Sequence, residues 1–204
     1  SGKYNVVNLS LRGKGTISGG GAKLSKAMVA SRGMRGRGRL ICIMNGQNID
    51  IQGLKGENPP CWTTHYIYCN QGTLHDLHIT SSGANGDGID PDSSTDSYIF
   101  NCTISTDDDC IAIKSGKNPE GNVVNKPTKR VRITDCTFIK GAALAIGSVR
   151  AHDELRCRLA AGDHSGQRGI ETGRTVHHKA RARVRIRCLQ ADGVLQRSAA
   201  GAAV

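Results

Sequence analysis

Four segments of the chain share one short pattern of alternating apolar and polar residues. They align on Ile51, Leu74, Ile99 and Ile133, so the intervals between them are 23, 25 and 34 residues. Three positions further on, each segment has a second apolar residue, and these are Leu54, Leu77, Cys102 and Cys136. Alternation over so short a stretch is typical of a half-buried β-strand. The chain is therefore a degenerate repeat of strands, and this repeat limits the folds that it can adopt.

The interval between the segments predicts how they pack. A period in the low twenties, with no helical pattern between the strands, indicates that each unit is one coil of a solenoid. The composition agrees, because 26 glycines and an aromatic content of 3% suit short strands and tight turns better than a helix bundle. We therefore predict an all-β fold, a parallel β-helix. Its longest interval is expected to carry a surface loop over residues 116–127, which are rich in Gly, Pro and Asn.

The formal net charge of +11 predicts an acidic partner. Nucleic acid, an anionic membrane and a uronic-acid polysaccharide all have the required charge. The segment from Arg32 to Arg39 contains four arginines and is expected to form an exposed basic loop or rim. It has no interleaved aromatic residues that could stack on bases, which disfavours nucleic acid. No apolar run approaches the roughly 18 residues that a membrane-spanning helix requires.

Neither the cysteines nor the glycine-rich segment predicts a metal or a cofactor. The eight cysteines show no metal-ligand spacing. Cys102, Cys110 and Cys136 fall on apolar positions of strand patterns, which predicts buried thiols rather than disulfides. The segment from Gly13 to Gly21 lacks the strand-then-helix context of a nucleotide-binding loop, so a tight turn is expected there.

The composition changes near Ser148. Residues 149–204 contain ten Arg, one Lys and ten Ala, with no aromatic residue and no Asn, and the coil repeat does not resume there. We therefore divide the chain into a partial β-helix domain over residues 1–148 and a divergent tail over residues 149–204. A coding frame that changed near Ser148 would give such a tail, and we favour it over a separate Arg-rich helical tail. No signal peptide is visible at Ser1, and the strand-like start indicates the interior of a longer protein.

Two clusters of carboxylates lie about one coil apart. Asp87 and Asp109 are separated by 22 residues, so adjacent coils would place them side by side, with Asp108 next to them. Paired carboxylates are what acid/base hydrolysis of a glycosidic bond requires, and crowding should leave one of them protonated near neutral pH. The alternative is that these are turn and cap aspartates. Asp90 and Asp92 are expected to be turn carboxylates of that kind.

Three motifs surround these carboxylates. They are Asn85-Gly86-Asp87-Gly88, Asp107-Asp108-Asp109-Cys110, and Gly141-Ala142-Ala143 followed by Ile146-Gly147-Ser148. They resemble the Asn-Thr-Asp-Gly, Gly-Asp-Asp-Cys and Gly-His-Gly…Ile-Gly-Ser motifs of glycoside hydrolase family 28, the polygalacturonases of pectin breakdown. The resemblance covers roughly residues 1–148. Two motifs at the family's spacing, on a repeat of this kind, are more specific than either motif alone.

The resemblance implies a right-handed parallel β-helix that hydrolyses α-1,4-linked galacturonic acid with inversion. Carried over by position, Asp108 is the general acid, and Asp87 and Asp109 activate water. The candidate substrate-binding residues are Asn85, Lys114 and Lys117. The expected partner is a polysaccharide, polygalacturonate or pectin, with no nucleic acid, no membrane, no metal and no cofactor. A monomer that is extracellular or periplasmic in the full-length parent is expected.

Two departures from the family pattern predict an impaired activity. Ala142 and Ala143 replace the His and the second Gly of the third motif, and the family's Arg-Ile-Lys motif has no secure match. Alanine neither donates a side-chain hydrogen bond nor carries charge, so a member of the acid/base network is missing. A β-helix that holds pectin without cutting it is therefore one alternative. A related β-helix lyase, with carboxylate-bound Ca²⁺ and an Arg base, is another, although no such base is identifiable.

Overall fold

The computed structural model of the chain describes residues 4–31, 36–116, 119–146 and 182–187. Strands dominate these residues, and two helices interrupt the series. The strands are β1 (Val6–Arg12), β2 (Thr16–Ser18), β3 (Ile41–Met44), β4 (Gly46–Gln52), β5 (Lys55–Glu57), β6 (Thr64–Ile67), β7 (Asn70–His75), β8 (His78–Thr80), β9 (Ile89–Asp92), β10 (Thr95–Phe100), β11 (Thr103–Ile113), β12 (Lys129–Ile146) and β13 (Ala182–Arg187). The helices are α1 (Gly21–Ala30) and α2 (Glu120–Val124).

The strands stack in three parallel rows. The first row is β1, β4, β7, β10 and β12. The second is β2, β5, β8 and the start of β11, and the third is β3, β6, β9 and the end of β11. The later part of β12 then stacks on β11. Because the chain visits each row once before it returns to the first, every turn is one coil, and the predicted parallel β-helix is confirmed.

The core is built from columns of apolar side chains, one residue from each coil. Leu74 is the strand partner of both Ile51 and Ile99, and Ile99 is also paired with Ile133, as the sequence alignment predicts. All four side chains are fully buried. Burial of one such side chain contributes about 1.5–3 kcal/mol, so the column stabilises each coil only when the next coil is in place.

The cysteines extend this core. Cys102 and Cys136 stand in the column that begins with Leu54 and Leu77, and all four residues are buried. Cys110 is also fully buried, and all three cysteines are free thiols. The prediction that they are packing residues is confirmed. Burial raises the pKa of the Cys110 thiol to about 11, so the sulfur stays uncharged within the core.

The strands of the first row repeat a left-handed backbone conformation at the same place. Non-glycine residues with positive φ stack from coil to coil, and one such column is Asn8, Asn48, Gln71, Asp96 and Arg130. Asn, with its short polar side chain, tolerates this conformation better than most residues do. The stacked side chains also bind one another: the amide of Asn48 donates to Asn8 at 2.8 Å, and the guanidinium of Arg130 pairs with Asp96. These contacts support a bend that recurs within each strand of the first row.

Two segments depart from the coil geometry. The insertion over residues 116–127, predicted as a loop, contains the five-residue helix α2. Residues 182–187 form β13, which pairs with β12 in the antiparallel direction rather than the parallel direction of the coils. Residues 147–181 and 188–204 lie outside the described residues, so the division of the chain at residue 148 stays a prediction. Neither helix of the described residues is long and apolar enough to cross a membrane.

The columns make a prediction about stability. Ile99→Ala, in the buried column, should lower the free energy of unfolding by about 2–5 kcal/mol, because the cavity opens between two coils that cannot collapse independently. Ile139→Ala is the matched control: this isoleucine is 48% exposed, and its loss should change stability by less than about 0.5 kcal/mol. Urea unfolding of both variants measures the difference. Equal losses would contradict the stacked-column description.

Candidate active site

The two carboxylate motifs lie on adjacent coils and touch through their backbones. The N–H of Gly88 donates to the carbonyl oxygen of Asp109 at 2.9 Å, and Ile89 is the strand partner of Ile111. The interval from Asp87 to Asp109 is therefore one coil, as its length predicts. The backbone segments that carry Asp87 and the pair Asp108 and Asp109 therefore lie on adjacent coils, and neighbouring strands are about 4.8 Å apart.

Two glycines allow the coils to come this close. A Cβ on Gly88 would overlap the carbonyl oxygen of Cys110 on the next coil. A Cβ on Gly141 would overlap the carbonyl oxygen of Asp108, and Gly141 also has a positive φ of 105°. Glycine is required at both positions because any side chain would push apart the backbone segments that carry the aspartates.

Asp108 is held by two backbone donors. Its Oδ2 accepts from the N–H of Asn85 at 2.9 Å, and its Oδ1 accepts from the N–H of Asp109 at 3.1 Å. Asn85 is exposed and has a positive φ of 58°, which turns its N–H towards the next coil. Asn85 thus contacts Asp108 through its backbone, whereas its side-chain oxygen accepts from the guanidinium of Arg37 at 2.7 Å. Asp108 and Asp109 are both half-buried.

Lys114 lies buried between two aspartates. Its ammonium donates to Oδ2 of Asp87 at 2.8 Å and to Oδ1 of Asp90 at 2.5 Å, and the side chains of all three residues are at most 5% exposed. This position differs from the expectation that Lys114 meets a sugar carboxylate, because two protein carboxylates already surround its charge. Lys117, the other lysine proposed for substrate binding, lies outside the described residues.

Asp90 is a core residue and not the turn carboxylate that its sequence context predicts. It lies within β9 and is fully buried. Burial raises the pKa of Asp90 well above its ordinary value; the neighbouring ammonium of Lys114 opposes this shift and the charge of Asp87 adds to it. Burial alone would lower the pKa of Lys114, but Asp90 and Asp87 together raise it. One cation therefore serves two carboxylates, and burial favours the protonated form of Asp90.

Asp92 is also buried, in contrast to the prediction of a turn carboxylate. It accepts from Nε2 of His65 at 3.3 Å and from the N–H of Gly116 at 2.7 Å. Burial opposes ionisation of Asp92, but the hydrogen bonds from His65, Gly116 and Ser93 hold its pKa below the ordinary value. Asp92 thus has a structural role: it holds the start of the insertion at residue 116 against the preceding coil, which contains β9.

The rim of the site carries charges that sequence reasoning did not connect to it. Asp107 is exposed, accepts from the N–H of Gly83 at 3.0 Å and pairs with Lys140, which holds the pKa of Asp107 below its ordinary value. The half-buried Trp62 has the guanidinium carbon of Arg39 and the ammonium of Lys114 each 4.5 Å from its ring centroid. The arginine-rich segment was recognisable as basic, but nothing in the sequence placed its Arg37 beside residues 84 and 85.

The third motif follows on the next coil. Ala142 is the strand partner of Asp109, so the position that is His in the resembled family lies directly beside the second carboxylate cluster. Gly147 and Ser148, at the end of this motif, lie outside the described residues. Among the residues that the structure describes, no three His, Cys, Asp or Glu side chains are arranged to hold a metal ion.

Comparison with known proteins gives a family match. The model of the family described as glycosyl hydrolases family 28 matches residues 2–157. A "Probable polygalacturonase" of Vitis vinifera is 33% identical over 182 residues, which cover 83% of this chain and 36% of the relative. A "Probable endo-xylogalacturonan hydrolase A" of Neosartorya fischeri is 34% identical over 128 residues, which cover 57% of this chain and 30% of the relative. The chain thus spans about a third of the length of these relatives.

Two solved structures share the fold. A hyperthermoactive exopolygalacturonase from Thermotoga maritima matches with a TM-score of 0.55 and 29% identity, over 63% of this chain and 32% of that chain. A family 28 exopolygalacturonase of Yersinia enterocolitica matches with a TM-score of 0.60 over 73% of this chain and 34% of that chain. The second is only 17% identical and shows the fold alone. The predicted right-handed parallel β-helix is confirmed.

The buried ion cluster makes a prediction about stability. Lys114→Met should lower the free energy of unfolding by about 3–5 kcal/mol, because it leaves Asp87 and Asp90 buried without a cation. Lys140→Met, which removes an exposed lysine paired with Asp107, should change stability far less, because water and salt screen that pair. Urea unfolding at neutral pH measures both. If the two substitutions cost the same, Lys114 does not compensate buried charge.

Proposed function

This chain belongs to glycosyl hydrolases family 28, and on that basis we propose that it hydrolyses the α-1,4 bonds of galacturonic acid in pectin. The observation that carries the proposal is the stacking of Asp87 on the coil of Asp108 and Asp109. This stacking supports a site in which carboxylates from two coils act together, as an acid/base mechanism requires. The names of the relatives, polygalacturonase and xylogalacturonan hydrolase, support a galacturonan substrate. Membership in a hydrolase family favours hydrolysis over the elimination that a lyase performs.

In the proposed mechanism, Asp108 donates its proton to the oxygen of the leaving sugar. Asp87 and Asp109 take a proton from a water molecule, which attacks the anomeric carbon from the opposite face. The C–O bond to the leaving sugar breaks as the new bond to water forms, so the configuration inverts. Such a mechanism needs about 6.5–9.5 Å between the acid and the base, to leave room for water.

Two of the three residues that the sequence assigns to substrate binding are proposed here to position catalytic aspartates instead. Lys114 is a positioning residue: its buried ammonium orients Asp87 through a charge-assisted hydrogen bond. Asn85 positions Asp108 through its backbone N–H. Lys117 stays a candidate for contact with a sugar carboxylate. We further propose that the full-length parent acts outside the cell or in the periplasm, and as a monomer.

The proposed roles predict the effect of removing each carboxylate. Asp87→Asn, Asp108→Asn and Asp109→Asn should each lower the release of reducing ends from polygalacturonate by about 10²-fold or more, because each removes a proton donor or acceptor. Asp107→Asn is the matched control, since it alters the adjacent aspartate and keeps an oxygen for the N–H of Gly83. Its rate should stay near that of the unmodified protein. A rate for Asp108→Asn equal to that of this control would contradict the assignment.

A second candidate function is pectin binding without hydrolysis. It is favoured by Ala142, which lies beside Asp109 where the family has a histidine. In this case the protein would bind polygalacturonate and release no reducing ends. The aspartates would then be remnants of a site that lacks one member of its proton-transfer network.

A histidine introduced at this position separates the two candidates. Ala142→His should raise the hydrolysis rate by about tenfold or more, because the imidazole would lie one strand away from Asp109 and restore a titratable group. Ala142→Gln controls for side-chain size and hydrogen bonding without titration. A reducing-end assay that detects no hydrolysis by the unmodified protein or by Ala142→His, with binding to polygalacturonate intact, would favour the binding function.

A further inference from the structure

Arg37 connects the arginine-rich segment to the aspartate site. Its guanidinium donates from Nη1 to the carbonyl oxygen of Ala84 at 2.8 Å and from Nη2 to Oδ1 of Asn85 at 2.7 Å. The N–H of Asn85 in turn donates to Asp108. Arg37 is thus two hydrogen bonds from the proposed general acid, although 71 positions separate the two residues in sequence.

Arg39 reaches the same site by a second route. Its guanidinium carbon lies 4.5 Å from the centroid of the Trp62 ring, and the ammonium of Lys114 lies 4.5 Å from the same centroid. Lys114 contacts Asp87. A cation beside an indole ring is stabilised by the ring's negative face, which limits the directions that the side chain adopts. Arg37 and Arg39 therefore approach the two halves of the carboxylate cluster, one through Asn85 and the other through Trp62.

Neither guanidinium is neutralised by a carboxylate among the described residues. The partners of Arg37 are two uncharged oxygens, and the partner of Arg39 is an aromatic ring. Lys114 and Lys140, at the same site, are paired with aspartates. A guanidinium has five N–H donors, and Arg37 uses two of them in these contacts, so both arginines keep donors for an anionic ligand.

We propose that Arg37 and Arg39 form an anion-binding edge of the aspartate site that takes carboxylates of a uronic-acid polymer. The proposal rests on the proposed function for the identity of the polymer. A planar guanidinium matches the two oxygens of a carboxylate in a bidentate pair, which a lysine cannot do. The polymer carries one carboxylate on each sugar, so two arginines separated by a single glycine suit a repeating anion. This edge supplies cations next to a site in which Lys114 and Lys140, which the structure describes there, are already paired with aspartates.

The test measures binding rather than hydrolysis. The Asp108→Asn protein, which cannot consume the ligand, is titrated calorimetrically with a defined oligogalacturonate and with its fully methyl-esterified form. Arg37→Gln and Arg39→Gln are made in this background. Arg132→Gln is the matched control: this arginine is exposed and also lies beside an aromatic ring, with its guanidinium carbon 4.8 Å from the centroid of Tyr98, and its loss changes the net charge equally.

The expected result is a loss of about tenfold in affinity for the oligogalacturonate in each site variant, the size of a lost charge-assisted contact. Arg132→Gln should keep the affinity, and the methyl-esterified ligand should bind all the proteins equally weakly. Arg37→Lys and Arg39→Lys should recover only part of the affinity, since they restore charge without the fork geometry.

Three results would overturn the proposal. One is an equal loss in Arg132→Gln, which would indicate attraction by net charge alone. Another is an equal loss for the methyl-esterified ligand, which would indicate that the arginines only support the loop. The third is equally tight binding of a single-stranded DNA of the same charge. Failure of the proposed function is distinguishable, because an inactive protein that binds oligogalacturonate through these arginines would refute hydrolysis and support the binding edge.

Discussion

The hydrogen-bonded stacking of each coil on the next is the constraint on which the rest of the structure depends. It fixes the spacing between neighbouring backbones and joins Ile51, Leu74, Ile99 and Ile133 into one buried column. A single coil cannot bury these side chains, so stability in such a fold arises between neighbours along the axis. The same stacking positions the carboxylates. The coil of Asp87 stacks on the coil of Asp108 and Asp109 because the N–H of Gly88 donates to the carbonyl oxygen of Asp109, in the same kind of ladder that builds the core.

This link between core and site explains the buried ion cluster. Asp87 and Asp90 belong to one coil and Lys114 to the next, so the ammonium bridges the two coils. Removing three ionisable groups from water is costly, and a buried ion pair contributes little net stability for that reason. The ion cluster instead fixes the orientation of the Asp87 side chain, because the carboxylate has one strongly favoured position as long as the ammonium of Lys114 is in place. Asp90, with its raised pKa, lets the cluster hold one positive charge without requiring two full negative charges.

The fold was largely predictable from sequence, whereas the site was predictable only in part. The period of the apolar residues predicts the register, because a one-residue slip would turn Ile99 from the core to solvent. The interval from Asp87 to Asp109 is about one repeat period, so the sequence also predicts that these two residues lie on adjacent coils. The sequence did not predict the buried positions of Lys114 and Asp90, because a lysine after a strand and an aspartate before a proline are usually solvated. Their burial depends on a contact between two coils that composition does not report. The contacts of Arg37 were not predictable for a similar reason, since its partners lie 47 and 48 residues away in sequence.

Lys114 is a buried cation of the site, whereas Arg37 and Arg39 are cations at its edge. A polyanionic substrate gives a reason for both positions. Two unit charges 4 Å apart attract by about 1 kcal/mol in water and about 4 kcal/mol in a protein-like medium near the surface. A buried cation is therefore the stronger partner for a protein carboxylate, and Lys114 occupies that position beside Asp87. The ammonium of Lys114 is already paired with Asp87 and Asp90, so it offsets less of the repulsion between substrate carboxylates and the aspartates than an unpaired cation would. Arg37 and Arg39 lie at the solvent edge, where their donors are accessible to substrate. Lys114 orients the reacting carboxylate, whereas Arg37 and Arg39 bind the anionic substrate. Neither set of cations can therefore replace the other.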